Sequence, residues 1–235
     1  MSGASQVIDV FDQIRESVYF LVSRSFDSNI TFIKSNDHHI LVDTGTGLYA
    51  ESLENELHSL GSSLSSITDI ILTHAHIDHI GGVVPILEVG SPKIYLHKAE
   101  AEHINRGDMS STLSDTFGAE LPPLRVEGIL EEGSSLDFGN VKMRVYHTPG
   151  HSEGSITIEL EDTGILLTGD TLFSGGSFGR VDFPTGSPKK LVESLKRISE
   201  MKFDIGLPGH MNAMKYNAKK SALTSYQMAK SMFRM

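Results

Sequence analysis

Hydrophobic residues in the first part of the chain recur at strand spacing. Val18 to Val22 (VYFLV), Ile30 to Lys34 and Ile40 to Val42 are short runs rich in β-branched and aromatic residues, and the polar pair Asn36-Asp37 separates the last two. This predicts a meander of strands, closed by Gly45 and Gly47 in a sharp turn after Asp43. The rhythm then changes. Leu53, Leu57 and Leu60 mark one face of a helix that stops at Gly61. Ile67 to Leu72 returns to a continuous apolar run, as in a buried strand, and leads directly into Thr73-His74-Ala75-His76-Ile77-Asp78-His79.

A strand over Ile94 to Leu96 and a short helix over Ala99 to Ile104 follow. The polar stretch from Arg106 to Val126, with Pro122-Pro123, predicts a loop that we place as a lid over the site. The second half repeats the logic, with strands at Leu136 to Phe138, Val141 to Tyr146, Ile156 to Leu160 and Ile165 to Leu167 before a Gly-rich loop from Gly169 to Gly186. A helix over Pro188 to Met201 carries Leu191, Leu195 and Ile198 on one face, and a last helix is expected from near Asn212. Met228, Met232 and Met235 in that tail predict an amphipathic surface packed on the core or on a second copy in a homodimer. Strands followed by helices, twice, predict an α/β protein of αββα sandwich type, with residues 1–235 forming a single domain.

Composition narrows the chemistry. Apolar residues make up 39% and charged residues 21% of the 235 positions, so the chain carries enough hydrophobic material to fold by itself. A net charge of −10 argues against a nucleic-acid partner, whose phosphates call for clustered Lys and Arg. No run reaches the roughly 18 apolar residues of a membrane span. The start, MSGASQVIDVFDQ, lacks the pattern of a secretory leader, so a cytoplasmic location without membrane attachment is expected. The absence of cysteine removes disulfides, thiolate nucleophiles and thiolate metal ligands together, leaving nitrogen and oxygen donors.

Those donors gather at strand ends. In extended backbone, residues two apart point the same way, so His74 and His76 aim two imidazoles at one point. Asp78 and His79 follow in a turn that Gly81-Gly82 can close, and adjacent side chains there can serve two centres. His151 in HTPGH, Asp170 in LLTGD and His210 in GLPGH each follow a predicted strand, and a Pro-Gly turn presents each of the two histidines. His38, His39, His58, His97, His103 and His147 have no partners at ligand spacing and read as surface or core residues. Asp170 could alternatively cap a helix through TGDT, and Arg180 in GGSFGRVDF reads first as a structural partner of Asp182 or another carboxylate, with a substrate-facing role as the alternative.

The segments THAHIDHIGG, HTPGHSEGS, TGDTLF and PGH, preceded by LVDTG, resemble the signature of the metallo-β-lactamase superfamily from Leu41 to His210. The resemblance implies a four-layer αββα metallo-β-lactamase sandwich holding two divalent metal ions, with zinc the first expectation and iron or manganese as alternatives. His74, His76 and His151 would hold the first ion and Asp78, His79 and His210 the second, with Asp170 between them. Asp43 would accept the free N–H of a ligand imidazole. Asp78 would be the catalytic carboxylate, orienting a metal-activated hydroxide and relaying its proton.

Within the superfamily, TGDTLFSGGSFGRVDF looks most like the glyoxalase II and persulfide dioxygenase branch, which implies hydrolysis of a small-molecule ester or thioester. Phe178 departs from the small residue or Cys usual before Gly-Arg there. The larger basic C-terminal region with which glyoxalase II holds glutathione has no counterpart in the 25 residues after His210, so a glutathione thioester and a different thiol ester stand as equal expectations. The alternatives are a mononuclear iron persulfide dioxygenase using His74, His151 and Asp170, a lactonase whose loop from Arg106 to Val126 walls an acyl pocket, and a non-catalytic metal-binding module.

Overall fold

The computed structural model describes residues 10–235, so most of the stretch read for a leader lies outside the described residues. Strands β1 (Asp12–Arg15), β2 (Val18–Leu21), β3 (Ile30–Ser35), β4 (His38–Val42), β5 (Asp69–Ile71), β6 (Lys93–His97) and β7 (Gly128–Leu130) form one sheet in sequential order. β1 to β4 pair antiparallel, and β4 to β7 pair parallel. Ser35 faces His38 directly, so Asn36 and Asp37 are the whole β3–β4 turn, and Asn36 takes the positive φ of 43° that such a hairpin requires. The second sheet runs β12 (Ile205–Pro208), β11 (Ile165–Gly169), β10 (Ile156–Leu160), β9 (Lys142–His147) and β8 (Ser135–Asp137), with β11 and β12 parallel and the others antiparallel.

Side-chain alternation along the strands assigns the layers. Phe32, Leu41, Ile70 and Leu96 on the outer face of the first sheet pack with helices α1 (Ala50–Ser59), α3 (Val83–Val89) and α4 (Lys98–Asn105) through Leu53, Leu57, Val83, Ile86, Ala101 and Ile104. Their neighbours Ile33, Ile40, Ile71 and Tyr95 point the other way and meet Met143, Val145, Ile158 and Leu167 of the second sheet. Leu166 faces outward from that sheet onto α6 (Pro188–Glu200) and α7 (Ala218–Met232). The result is four layers, helix, sheet, sheet and helix, as the α/β reading expected. α6 starts where Ser187 accepts the Lys190 N–H at 3.4 Å and Pro188 fills the first turn, and it buries Leu191, Leu195 and Ile198.

Three sequence expectations need correction. The last helix begins at Ala218, because Met214 instead forms a backbone bridge with Gly206, its N–H donating at 2.8 Å and its carbonyl accepting at 3.1 Å. The buried face of α7 is Ala218, Ser221, Ala222, Ser225 and Ala229, small residues suited to close packing on α6, whereas Met228, Met232 and Met235 are 53%, 70% and 46% exposed, which overturns their packing on the core and leaves the second-copy alternative untouched. The stretch from Arg106 to Val126 is not a bare loop. It holds a 3₁₀ turn (Ser110–Thr112) and the one-turn helix α5 (Ser114–Phe117).

Candidate metal centre

Every candidate donor leaves the same edge of the sandwich. β5 runs through Leu72 and Thr73 into His74 and His76, and the one-turn helix α2 (Ile77–Ile80) then carries Asp78 and His79. β9 leads to His151, β11 to Asp170 and β12 to His210. Gly209 is required beside them, since a Cβ there would lie 2.2 Å from Asp170 Oδ1 and 2.8 Å from His79 Cε1.

The structure brings all seven predicted residues together in three overlapping donor clusters: His74, His76 and His151; His74, His79 and Asp170; and Asp78, His79 and His210. His76 Nδ1 lies 3.0 Å from His74 Nε2 and 2.9 Å from His151 Nε2. Asp170 faces both ends of the cluster, with Oδ1 3.4 Å from His79 Nε2 and Oδ2 3.5 Å from His151 Nε2 and 3.6 Å from His210 Nε2. His210 Nε2 is 3.1 Å from Asp78 Oδ2. Two donors sharing a tetrahedral zinc-sized ion sit roughly 3.3 Å apart, so these separations suit shared ions. His79 Nε2 and Asp170 Oδ1 are buried without a hydrogen-bond partner, a cost that a cation between them would remove.

Surrounding groups fix the rings. Asp43 Oδ2 accepts from His79 Nδ1 at 2.8 Å, while its two oxygens also take the Thr73 backbone N–H and hydroxyl at 2.8 and 2.7 Å. His151 Nδ1 donates to the Arg180 carbonyl at 2.7 Å, which leaves its Nε2 lone pair free for the cluster. Burial, then the charge of His79 and His76, holds His74 well below the ordinary imidazole range; burial and His151 push His76 down to about 3; burial also lowers His151. These three rings therefore keep free lone pairs at neutral pH. His79 goes the other way, because Asp43, Asp78 and Asp170 outweigh its burial. Burial opposes the charge on Asp170 and Asp78, yet His79 and His210 hold both below the usual carboxylate range. That end of the cluster is built for positive charge.

The six other histidines fall outside these clusters. His38 pairs with Asp69 at 2.7 Å, His58 with Glu54 and His103 with Asp108, His39 bonds to Ser62, and His97 stacks on His147 at 3.9 Å. Arg180 does pair with Asp182, in a two-pronged contact at 2.9 and 2.7 Å. What the sequence reading missed is Glu100. This fully buried carboxylate accepts the N–H of Ala75, the residue between His74 and His76, at 2.9 Å. A Cβ on Gly154 would lie 2.6 Å from Glu100 Cδ, so the His151 loop packs on the same group. An acidic residue beside buried Ala101 and Ile104 on the inward face of α4 was the available signal.

A four-layer sandwich whose edge gathers His and Asp donors in three overlapping groups has the donor set of a dinuclear metal site. Residues 24–210 match the sequence model of the metallo-beta-lactamase superfamily, and the chain belongs to that superfamily. It is 28% identical over 228 residues to the acyl-coenzyme A thioesterase MBLAC2 of Homo sapiens, the match covering 84% of this chain and 79% of the relative. It is 35% identical over 189 residues to the probable metallo-hydrolase MJ0888 of Methanocaldococcus jannaschii, covering 78% and 87% respectively. The solved structure of TTHA1623 in a di-iron-bound form superposes with a TM-score of 0.69 at 31% identity, over 84% of this chain and 94% of that one. Among the described residues no helix is long and apolar enough to cross a membrane.

Proposed function

We propose that the protein hydrolyses thioesters of small molecules at a two-metal site. His74, His76 and His151 would hold one ion and Asp78, His79 and His210 the other, with Asp170 between them. The observation that carries the two-metal reading is Asp170, whose Oδ2 lies near both His151 and His210 and whose Oδ1 faces His79, while that Oδ1 and His79 Nε2 are buried without a hydrogen-bond partner. Support for thioesters in particular comes from the named activity of the MBLAC2 relative. The ions, when bound, would activate a water molecule and polarise the carbonyl.

The chain's own groups do the rest. Asp78, next to His210 at 3.1 Å, orients the attacking water and takes its proton. A C–O bond forms, the C–S bond breaks, and that proton passes to the departing sulfur to give a carboxylic acid and a thiol. A thiol has an ordinary pKa of about 8.5, so its anion leaves readily and the site needs no strong acid opposite Asp78. The cavity in front of these residues, about 290 Å³ and lined by His76, Asp78, His151, Asp170 and His210, admits an acyl group.

Metal analysis of protein purified without added metal, joined to a panel of thioesters, lactones and oxygen esters, tests this reading. Two divalent ions per chain and turnover of thioesters above the other esters are expected. One iron per chain, with oxygen consumed on persulfides, would overturn it; two irons would not, since metal count and substrate decide the matter. Asp43→Ala is expected to weaken metal affinity roughly 10- to 100-fold, read by competition with a chromophoric chelator. An unchanged affinity would mean that packing alone orients His79.

A further inference from the structure

One wall of the site mouth is made of aromatic rings that metal binding does not require. Phe26 and Phe117 are 43% and 42% exposed, yet they meet with ring centroids 4.7 Å apart. Phe117 faces Phe183 at 6.4 Å, and Phe183 in turn stands edge-on to His76 at 5.1 Å and to His151 at 5.7 Å. With Leu113 these rings line the cavity that contains the donor cluster, so an aromatic wall runs from solvent to the reacting centre, with the exposed Arg180 guanidinium 4.7 Å from the Phe183 ring centre at its edge. The rings come from three separate places: the loop after β2, the segment after α4 and the Gly-rich loop after β11.

The middle piece is held in an unusual way. Leu113 has φ 59° and Gly118 has φ 65°, so left-handed residues bracket α5 at both ends. A leucine in that region costs about 1 kcal/mol or more, a price met only where the surroundings hold the conformation. Here the bend brings buried Leu113 and exposed Phe117 to the same cavity wall. Apolar rings left facing water at the mouth of a polar cluster are a surface awaiting an apolar ligand.

We propose that Phe26, Leu113, Phe117 and Phe183 form the acyl slot, selecting apolar acyl groups of several carbons over acetyl and hydroxyacyl groups. The inference rests on the thioesterase reading for its substrate class. The wall is continuous with the donor cluster, so a carbonyl carbon placed among His76, His151 and Asp170 has its alkyl chain adjacent to Phe183 and directed towards Phe117 and Phe26. Each methylene moved from water into such a slot strengthens binding roughly three- to fourfold.

The test is a chain-length series on the metal-loaded protein. The kcat/KM values of acetyl, butyryl, hexanoyl and octanoyl thioesters of coenzyme A would be measured beside calorimetric binding of the corresponding straight-chain carboxylic acids. A rise of roughly threefold per methylene until the slot fills is expected in both measurements. Phe117→Ala and, separately, Phe26→Ala should cut the octanoyl-to-acetyl ratio at least tenfold, with circular dichroism confirming that each variant is folded. Thioester turnover without a length gradient, or a gradient untouched in both folded variants, would overturn the slot and leave the thioesterase reading in place. A gradient in acid binding with no thioester turnover would do the reverse.

Discussion

Asp170→Asn is expected to lower the metal content from two ions to one per chain and to reduce kcat/KM on the best substrate by about a thousandfold or more, a loss on the order of 4 kcal/mol in transition-state stabilisation. The expectation follows from where the two oxygens lie. Oδ1 is 3.4 Å from His79 Nε2 and Oδ2 is 3.5 Å from His151 Nε2 and 3.6 Å from His210 Nε2, so this one carboxylate sits against residues assigned to both ions. Asparagine keeps the shape and one carbonyl oxygen but loses the charge that the cluster directs at a cation. The buried position makes compensation by water costly, since Asp170 is 6% exposed. Elemental analysis and steady-state kinetics on the same preparation check it. A variant that retains two ions and more than a tenth of the wild-type rate would show that Asp170 is merely adjacent to the site.

Legibility in the sequence followed the physics of each signal. Strands such as Ile30–Ser35 and Ile165–Gly169 were readable because both faces carry buried apolar residues, one on helices and one on the opposing sheet. The short edge strand β1, Asp12–Arg15, was not, since three of its four residues are exposed and carry no hydrophobic pattern. β7, Gly128–Leu130, is too short for periodicity to show. The donor set was visible because His151, Asp170 and His210 each follow a glycine at or just past a strand end, while His74, His76, Asp78 and His79 crowd into one short segment after another strand. Asp43 was visible through the resemblance carried by LVDTG. Contacts made through backbone, such as the Arg180 carbonyl on His151, leave no mark in residue identity. Nor does an aromatic wall assembled from positions 26, 117 and 183, each of which reads alone as an ordinary loop residue. The core-facing side of α7 was hidden for a related reason: small residues, not large ones, let α7 approach α6, and periodic Ala and Ser are a weak signal beside Met.

Glu100 joins two parts of the site, which makes it the most consequential residue outside the donor cluster. Glu100→Ala is expected to destabilise the protein by about 3 kcal/mol and to weaken metal affinity roughly 10- to 100-fold, because the Ala75 N–H between His74 and His76 would be buried without an acceptor and the His151 loop would lose the group on which Gly154 packs. Burial pushes the Glu100 carboxyl up to about 7, against the opposing pull of the Ser152 hydroxyl and the Gly154 and Ala75 N–H groups. Its ordinary value is 4.5, so the folded chain holds this proton more tightly than the unfolded chain does between those two values. The stability it contributes is therefore complete below pH 4.5 and is lost as the pH rises towards 7. Denaturant titrations of metal-free protein across that interval should show a decline in wild type that is shallower in Glu100→Gln, the histidine cluster being common to both. Because the glutamine side-chain carbonyl can still accept from Ala75, the same variant should recover most of the metal affinity lost in Glu100→Ala. Equal losses in both variants, with parallel pH profiles, would reduce Glu100 to a space-filling residue and leave the ligand loops to be set by their strands alone.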